Sequence, residues 1–311
     1  MANNLKWDNF QFIDYLNVDK NEIKNLPKGI GISTMCASGK LNTPIDVQTI
    51  KKYMQLHEDD IIWVGRNKEE CRSLINTKIK PKRNKKDESK GVKKDNKNCF
   101  YNQVTVVVRI DSGATTDLDN VPKINMKLFK NGSVQMSGCK SISSINIALN
   151  KLIVRLKEVK ARFENNKIVE IKYIETPETI TVKDFKIDMI NSNYQVAIQI
   201  DRDKLYNLLQ KKKIKSSYEP CIRACVIIKY VPDRDNVEQK EVSVFVFQKG
   251  NIIITGARSK SHILSAYDYM NDILLVHKDE IIKKDDEEIE KDLLDIYDNI
   301  MKEAKVGLIK L

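Results

Sequence analysis

The sequence has few of the residues on which most enzyme active sites and metal centres depend. Its 311 residues include three histidines, and none has a spacing that suggests a catalytic triad or a metal site. Among the six cysteines, Cys221 and Cys225 form a close pair, but no second pair exists with which to hold zinc. The glycines form no Walker or Rossmann phosphate-binding loop. We therefore expect no enzyme activity, no metal and no cofactor.

Long hydrophobic runs are also absent. No apolar stretch is long enough to span a membrane. The amino-terminal stretch lacks the charged and apolar sections of a secretion signal. The cysteines are therefore most simply the reduced thiols of an intracellular protein.

The chain does contain an excess of positive charge, with a formal net charge of +11 and an isoelectric point of about 9.1. A basic balance of this size favours a polyanionic partner, although it says nothing about fold.

The strongest pattern in the sequence is an internal repeat. Residues 129–156 and 247–274 align with each other without a gap, and a long repeat predicts a pseudo-twofold molecule. Duplex DNA is a partner with matching pseudo-symmetry. The identical pairs include Phe129 and Phe247, Gly132 and Gly250, Gly138 and Gly256, and Ser141 and Ser259.

Each copy of the repeat predicts a β-hairpin followed by a helix. Asn131-Gly132 and Lys249-Gly250 are turn signals between apolar, β-branched runs. Ser141 and Ser259 occupy the position of a helix N-cap, and the apolar residues after them recur at helical spacing. Upstream, each copy also predicts a strand, a short helix and a further strand. The fold class is therefore α+β with two direct repeats.

We divide the chain on this basis. The predicted parts are an amino-terminal segment (1–28), a first repeat (29–160) with a lysine-rich insertion (76–98), a linker (161–182), a second repeat (183–279) and an acidic amphipathic helix (280–311). The insertion is a solvated loop, a non-specific clamp on the DNA backbone or a nuclear localisation signal.

The second half resembles the carboxy-terminal repeat of the TATA-box-binding protein family. The resemblance is carried by DFKI (184–187), SSYEP (216–220) and FVFQKGNIIITGAR (245–258). The first half is similar through IST (32–34), VVRI (107–110) and LFKNGSVQMSGCK (128–140). The composition, rich in lysine, asparagine and isoleucine, is typical of AT-rich genomes, such as those of some protists and large DNA viruses.

The resemblance implies a saddle, in which one curved antiparallel sheet carries helices on its convex face and binds the DNA minor groove with its concave face. This binding mode is the standard example of minor-groove recognition by a β-sheet. Family members place two phenylalanine wedges at each end of the saddle. Phe129 and Phe247 match one of each pair, whereas Gln103 and Arg223 occupy the other two positions.

The resemblance also implies which other residues contact DNA. Thr255 matches a family threonine in the groove, with Ser137 as its near equivalent. Ile253 matches a family valine, whereas Gln135 makes the first half more polar. The central asparagines of the family are replaced by Ile30 and Met189. Asn191, with Ile32 as its counterpart, lies two positions further along. The cations implied to contact phosphate are Arg109, Lys229, Lys140 and Arg258.

Three functions remain open at this stage. The first is a general transcription factor of the nucleus, or of a cytoplasmic viral factory, that binds and bends promoter DNA and recruits a transcription factor IIB-type protein and RNA polymerase. The second is a protein–protein adaptor that has kept the fold and lost promoter recognition, which the missing asparagines and phenylalanines favour. The third is an enzyme accessory domain, which the absence of a catalytic domain argues against.

Overall fold

The structure, a computed structural model, describes residues 26–66, 70–75, 102–111, 117–164, 166–232 and 241–283, together with Leu294, Ile296 and Lys302. The chain divides into two compact units. Of the described residues, the first unit contains 32–190, and the second contains 26–31 and those from 191 onward.

The first unit is built on an antiparallel sheet with strand order β3-β2-β4-β5-β6-β1. A short helix, α1, follows the first strand, and a long helix, α2, follows the last hairpin. The elements are β1 (Gly31–Leu41), α1 (Val47–Tyr53), β2 (Ile61–Gly65), β3 (Cys71–Ser73), β4 (Gln103–Arg109), β5 (Lys123–Phe129), β6 (Ser133–Cys139) and α2 (Ile142–Lys157).

The core of this unit lies between one face of the sheet and α2. Met126 pairs with Met136 and Leu128 pairs with Val134 across β5 and β6, and all four side chains are buried. Alternate residues of a strand point to opposite faces, so the intervening side chains lie on the side without helices. The buried residues of α2 that complete this core include Ile145, Leu149, Leu152 and Leu156.

The predicted linker between the repeats contains a separate two-stranded hairpin. Its strands are β7 (Lys160–Glu164) and β8 (Lys167–Ile171), which pair with each other as a second, small sheet. The chain then continues into β9 (Val182–Gln195), whose residues up to Ile190 belong to the first unit and whose remaining residues belong to the second.

The second unit repeats the plan of the first, with strand order β10-β11-β12-β13-β9. Its core consists of Val244, Val246, Ile252 and Ile254 from the hairpin, packed under apolar residues of a long helix. The elements are α3 (Arg202–Lys211), β10 (Ser216–Ser217), β11 (Cys225–Tyr230), β12 (Val242–Phe247), β13 (Asn251–Ala257), α4 (Lys260–Val276) and α5 (Lys278–Ile281).

Glycine is required at the turn of each main hairpin. Gly132 and Gly250 have φ angles of 86° and 75°, which side chains rarely adopt. A Cβ atom on Gly132 would come within 2.7 Å of the carbonyl oxygens of Leu41 and Thr43. The turn therefore packs directly against the end of β1, and the turn of the second unit packs in the same way against Val196.

The helix caps are also duplicated. Ser141 accepts a hydrogen bond from the Ser144 amide at 3.1 Å, and Ser259 accepts one from the His262 amide at 3.3 Å. Asp46 and Asp201 cap the short helices α1 and α3 through their carboxylates. These caps satisfy backbone amides that would otherwise have no partner at the helix start.

The predicted α+β class is confirmed, as are the two hairpins and the helices that follow them. The sequence did not individually predict β2 and β3, and part of the predicted linker forms the β7–β8 hairpin. The insertion 76–98 and most of the acidic helix 280–311 lie outside the described residues. Within the described part of the chain, no helix is both long and apolar enough to cross a membrane.

Candidate nucleic-acid interface

The second unit has a sheet face without helices, formed by alternate residues of its strands. Val242, Val244 and Val246 point into the core, so the residues between them point the other way. We call this surface the second open face. It consists of Ile227, Lys229, Ser243, Phe245, Phe247, Ile253, Thr255 and Asn191.

Phe247 ends β12 on this face, immediately before the turn. It is half-buried and lies opposite Cys225 of β11. The amide of Gly250 donates to the Phe247 carbonyl at 3.1 Å, which holds the backbone of the turn. An apolar ring is thus fixed at the end of the face rather than in the core.

Asn191 and Thr255 form a polar pair on the second open face. The Thr255 hydroxyl donates to the Asn191 Oδ1 atom at 2.5 Å. Since the amide oxygen accepts this bond, the donor that Asn191 can offer to a ligand is its amide nitrogen. The A·T edges of the minor groove present only acceptors, and such a donor suits them.

Two cations predicted to contact phosphate lie at accessible positions in this unit. Lys229 is exposed, and its Nζ atom donates to the Ser243 hydroxyl at 2.7 Å, which holds the ammonium group over the open face. Arg258 is exposed immediately before the N-cap Ser259 of α4. A cation next to exposed helix amides forms a favourable environment for a phosphate.

The first unit presents a corresponding surface, which we call the first open face. Phe129 ends β5 just as Phe247 ends β12, and it lies half-buried opposite Gln103. Exposed Lys140 precedes the N-cap Ser141, matching Arg258. The first open face consists of Gln103, Thr105, Asn125, Lys127, Phe129, Gln135, Ser137, Cys36 and Ser38.

The first open face is more polar than the second. Lys127 lies opposite Gln135, where the second unit has Phe245 opposite Ile253. Gln135 also pairs with Ser38 of β1. The first open face thus has a cation and an amide where the second has an apolar pair. It is therefore better suited to contact polar groups of a ligand.

Cys36 contributes a neutral thiol to the first open face. It lies opposite Ser137, and burial raises its pKa, with a further contribution from the nearby Asp188 carboxylate. The thiolate is the reactive form of cysteine. The environment of Cys36 therefore does not favour nucleophilic chemistry at this surface.

Arg109 requires a correction, because the structure does not place it at a phosphate-binding position. Its side chain is 2% exposed, and its Nε atom donates to Asp111 at 2.6 Å. Its Nη1 atom donates to the Glu58 carbonyl at 3.2 Å. The bond to Asp111 raises the pKa of the guanidinium, against the opposing effect of burial. Arg109 thus ties the end of β4 to neighbouring loops.

The residues at and beside the two central positions are covered to different degrees. Ile30 is buried, and Met189 and Ile32 are half-buried. Asn191 is the central residue that the structure joins to a predicted groove residue, Thr255.

Sequence analysis missed an apolar cluster at the outer strands of the first sheet. Trp63 of β2 lies opposite Val107 of β4, and both pack with Ile62 and Val121. Val107 points to the same face of β4 as the open-face residues Gln103 and Thr105, so this cluster extends that side of the sheet. The apolar run IIWVG (61–65) was the signal that could have identified it.

The described residues hold no group of three or more histidine, cysteine, aspartate or glutamate side chains placed to bind a metal ion. Both open faces are instead formed from apolar, amide, hydroxyl and ammonium groups. These groups can recognise a ligand surface, and their arrangement does not resemble an acid–base or nucleophilic centre.

Comparison with known proteins agrees with this chemistry. The model of the family described as "Transcription factor TFIID (or TATA-binding protein, TBP)" matches residues 184–277. A "TATA-box-binding protein-like" protein of Acanthamoeba polyphaga mimivirus is 36% identical over 257 residues, which are 79% of this chain. The matched part of the chain spans 65% of that relative's length.

Among solved structures, the chain is similar to Methanococcus jannaschii TBP, with 19% sequence identity and a TM-score of 0.45. The match covers 79% of this chain and 98% of that one. The family match to the second repeat and the identity to the mimivirus relative carry the assignment. The chain carries a TATA-binding protein domain and is a diverged TATA-box-binding protein-like chain.

Proposed function

We propose that this protein is a transcription initiation factor that binds TATA-like promoter DNA in the minor groove through its two open faces. The observation that carries the proposal is the duplicated placement of Phe129 and Phe247. Each ring ends a strand on the face without helices, beside the same glycine turn. Apolar wedges at such positions can enter a base step and kink the duplex.

The polar groups around the rings support the same role. Asn191, oriented by the Thr255 hydroxyl, supplies an amide donor that suits the acceptors of A·T pairs. Lys140, Lys229 and Arg258 are exposed cations that would contact phosphates. The DNA-binding set proposed for the described residues is Phe129, Phe247, Ser137, Thr255, Gln135, Ile253, Ile32, Asn191, Lys229, Lys140 and Arg258.

Bound DNA would be bent, and the surfaces that carry the helices would be left for protein partners. By analogy with the family, these partners are a transcription factor IIB-type protein and RNA polymerase, and the site of action is the nucleus or a viral factory. The proposed role uses DNA and protein binding and requires no chemical step.

A second candidate function is a transcription adaptor that has lost sequence-specific DNA binding. It is favoured by Ile30 and Met189 at the positions of the family's central asparagines, because neither side chain can donate to a base. It is also favoured by the polar first open face.

A gel-shift titration tests the proposal on a TATA-containing duplex and a scrambled duplex, each at several salt concentrations. We expect the wild type to prefer TATA at moderate salt, and Phe129→Ala with Phe247→Ala to raise the Kd for TATA at least about tenfold. Removing the wedges should leave the salt-dependent, non-specific binding nearly unchanged, because that term comes from the cations.

Leu275→Ala is a matched control, because Leu275 is a 72% exposed apolar residue on α4 and lies outside the open faces. It should bind both duplexes like the wild type. Equal wild-type binding to the two duplexes that disappears with salt would contradict the proposal and favour the adaptor.

A further inference from the structure

An arginine lies at the end of the second open face, next to Phe247. Cys225 of β11 lies directly opposite Phe247, and exposed Arg223 comes two residues before Cys225, just outside the strand. Burial raises the pKa of the Cys225 thiol, and the positive charges of Arg223 and Arg202 oppose this effect. Charges shift a pKa chiefly at short range, so both guanidinium groups lie close to this end of the face.

The backbone that carries Arg223 is held from two sides. The Arg223 amide donates to the Glu219 carbonyl at 2.8 Å, which closes a turn before β11. The Nη1 atom of Arg202, at the start of α3, donates to the Ala224 carbonyl at 3.0 Å. The Arg202 guanidinium also lies 5.7 Å from the centre of the Tyr218 ring. The position of Arg223 relative to the strand end is therefore fixed, although its side chain is exposed.

The guanidinium of Arg223 is available to a ligand. Among the described residues, no carboxylate forms an ion pair with it. A guanidinium is always charged and carries only hydrogen-bond donors. A cation that can only donate thus lies beside the apolar ring of Phe247, at the edge of a surface proposed to meet DNA.

The first open face ends differently. The residue directly opposite Phe129 is Gln103, a half-buried neutral amide. The residues that lead into β4 (99–102) contain no lysine or arginine. An arginine next to the wedge is therefore a feature of the second half alone.

The minor groove of DNA varies in width with sequence, and arginine responds to that variation. A-tracts have a narrow minor groove with an enhanced negative potential, which attracts inserted arginine side chains. The guanidinium is planar and more weakly hydrated than an ammonium group, so it loses less hydration when it enters a narrow groove. G·C pairs place an exocyclic amino group in the same groove, where it meets a donor unfavourably.

We propose that Arg223 recognises a narrow minor groove next to the bound site, so that the protein prefers an A-tract flank at the Phe247 end. This inference rests on the proposed function, because it needs Phe247 to occupy a kinked base step. Arg223 precedes the start of β11, so it enters the groove immediately beyond that step. Arg202 is a positioning residue that holds Ala224. The first open face contributes no such preference.

Gel-shift titrations on a self-complementary TATATATA core test this proposal, because such a core favours neither orientation of the protein. The core is flanked by an A-tract on neither side, one side or both sides, with G·C-rich flanks elsewhere. We expect one A-tract to lower the wild-type Kd about fivefold. A second A-tract should change the Kd by no more than about twofold, which is the statistical factor for two equivalent orientations.

Three variants separate recognition of the flank from general charge. Arg223→Gln should lose most of the flank preference and still prefer TATA to a scrambled duplex. Arg223→Lys keeps the charge, so its salt dependence should stay unchanged, but it should also lose most of the flank preference. Arg162→Gln is the matched control, because Arg162 is an exposed arginine of β7 outside both open faces, and it should keep the wild-type ratio of Kd values. Circular dichroism should show the same fold for all three.

Two results would overturn the inference and leave the proposed function standing. The first is a wild type that prefers TATA to the scrambled duplex but binds all flanks equally. The second is an Arg223→Gln variant that weakens every duplex alike and lowers the salt slope by about one, because Arg223 would then contact a phosphate. Equal wild-type binding to TATA and scrambled duplexes is a separate outcome, which would overturn the proposed function and this inference with it.

Discussion

At the scale of single residues, the hydrogen bond between Thr255 and Asn191 is the contact that most directly predicts how the protein recognises DNA. Thr255 orients the amide by donating to Oδ1, which commits the Asn191 nitrogen to the role of donor. Thr255→Val keeps the shape of the side chain and removes this hydroxyl. We expect it to raise the Kd for a TATA duplex about five- to tenfold, in line with the loss of one oriented hydrogen bond.

The comparison that isolates this effect uses duplexes in which the central A·T pairs are replaced by G·C pairs. The exocyclic amino group of guanine offers a donor in the minor groove, which the Asn191 nitrogen cannot accept. The wild type should discriminate between the two duplexes, and Thr255→Val should discriminate less. Ser137→Ala is the corresponding control in the first unit, and equal losses for both substitutions would show that the hydroxyls act generally rather than through Asn191.

The sequence predicts a residue's location when that location is determined by nearby residues, and it fails when distant segments determine it. The locations of Phe129 and Phe247 follow from strand alternation and an adjacent glycine turn, and both are encoded within a few residues. Arg109 could not be placed in this way. Its burial depends on the Glu58 carbonyl, which is brought to β4 only by the folded chain.

At the scale of elements, the two long helices differ in how they attach to their sheets. α2 carries buried Lys151 and Arg155, whereas the aligned positions of α4 are Tyr269 and Ile273. The Lys151 Nζ atom donates to the Asp59 and Arg109 carbonyls at 2.6 and 2.9 Å, and burial lowers its pKa. The apolar faces of both helices were predictable from spacing, but a charged contact between distant segments was not.

The ion pair between Asp60 and Arg155 is the strongest test of this attachment. Asp60 is fully buried, and its Oδ2 atom lies 2.7 Å from Nε of Arg155 and 2.5 Å from its Nη2. Burial alone would lower the pKa of Arg155, and the bond to Asp60 raises it. Asp60→Asn leaves the buried guanidinium of Arg155 with Glu158 as its remaining counter-ion, so we expect a loss of about 3 kcal/mol in the free energy of unfolding.

Urea denaturation measures this loss as a lower midpoint with an unchanged slope. Glu70→Gln is the exposed counterpart, because Glu70 is 48% exposed in its pair with Lys51, and it should leave the midpoint nearly unchanged. Asp60→Leu with Arg155→Met should recover part of the stability, since both buried charges of this pair are removed together, while buried Lys151 loses the nearby Asp60 carboxylate. Similar losses for the buried and the exposed substitutions would argue against this account.

At the scale of the whole molecule, the chain is a duplication whose two halves have diverged in polarity. The second open face has Phe245 and Ile253 at positions where the first has Lys127 and Gln135. The repeat was detectable because turn glycines, N-cap serines and wedge phenylalanines are each constrained by local geometry. The open-face positions between them are free of such constraints, which is why they differ. The plan of each half was therefore easier to predict from the sequence than its ligand preference.

Because the two open faces differ in polarity, each should prefer a different end of a promoter. We expect the protein to bind an asymmetric TATA duplex mainly in one orientation, with the apolar second open face on the more deformable end, because flexible TA steps yield most easily to an apolar surface. Site-directed cleavage from a reagent attached at exposed Cys221 reports the orientation as the DNA end that is cut. Replacing Lys127 with Phe and Gln135 with Ile makes the two faces alike at these two positions, so this variant should cut both ends more equally. A wild type that cuts both ends equally would show that the difference in polarity does not direct binding, and an unchanged bias in the variant would assign the orientation to other residues.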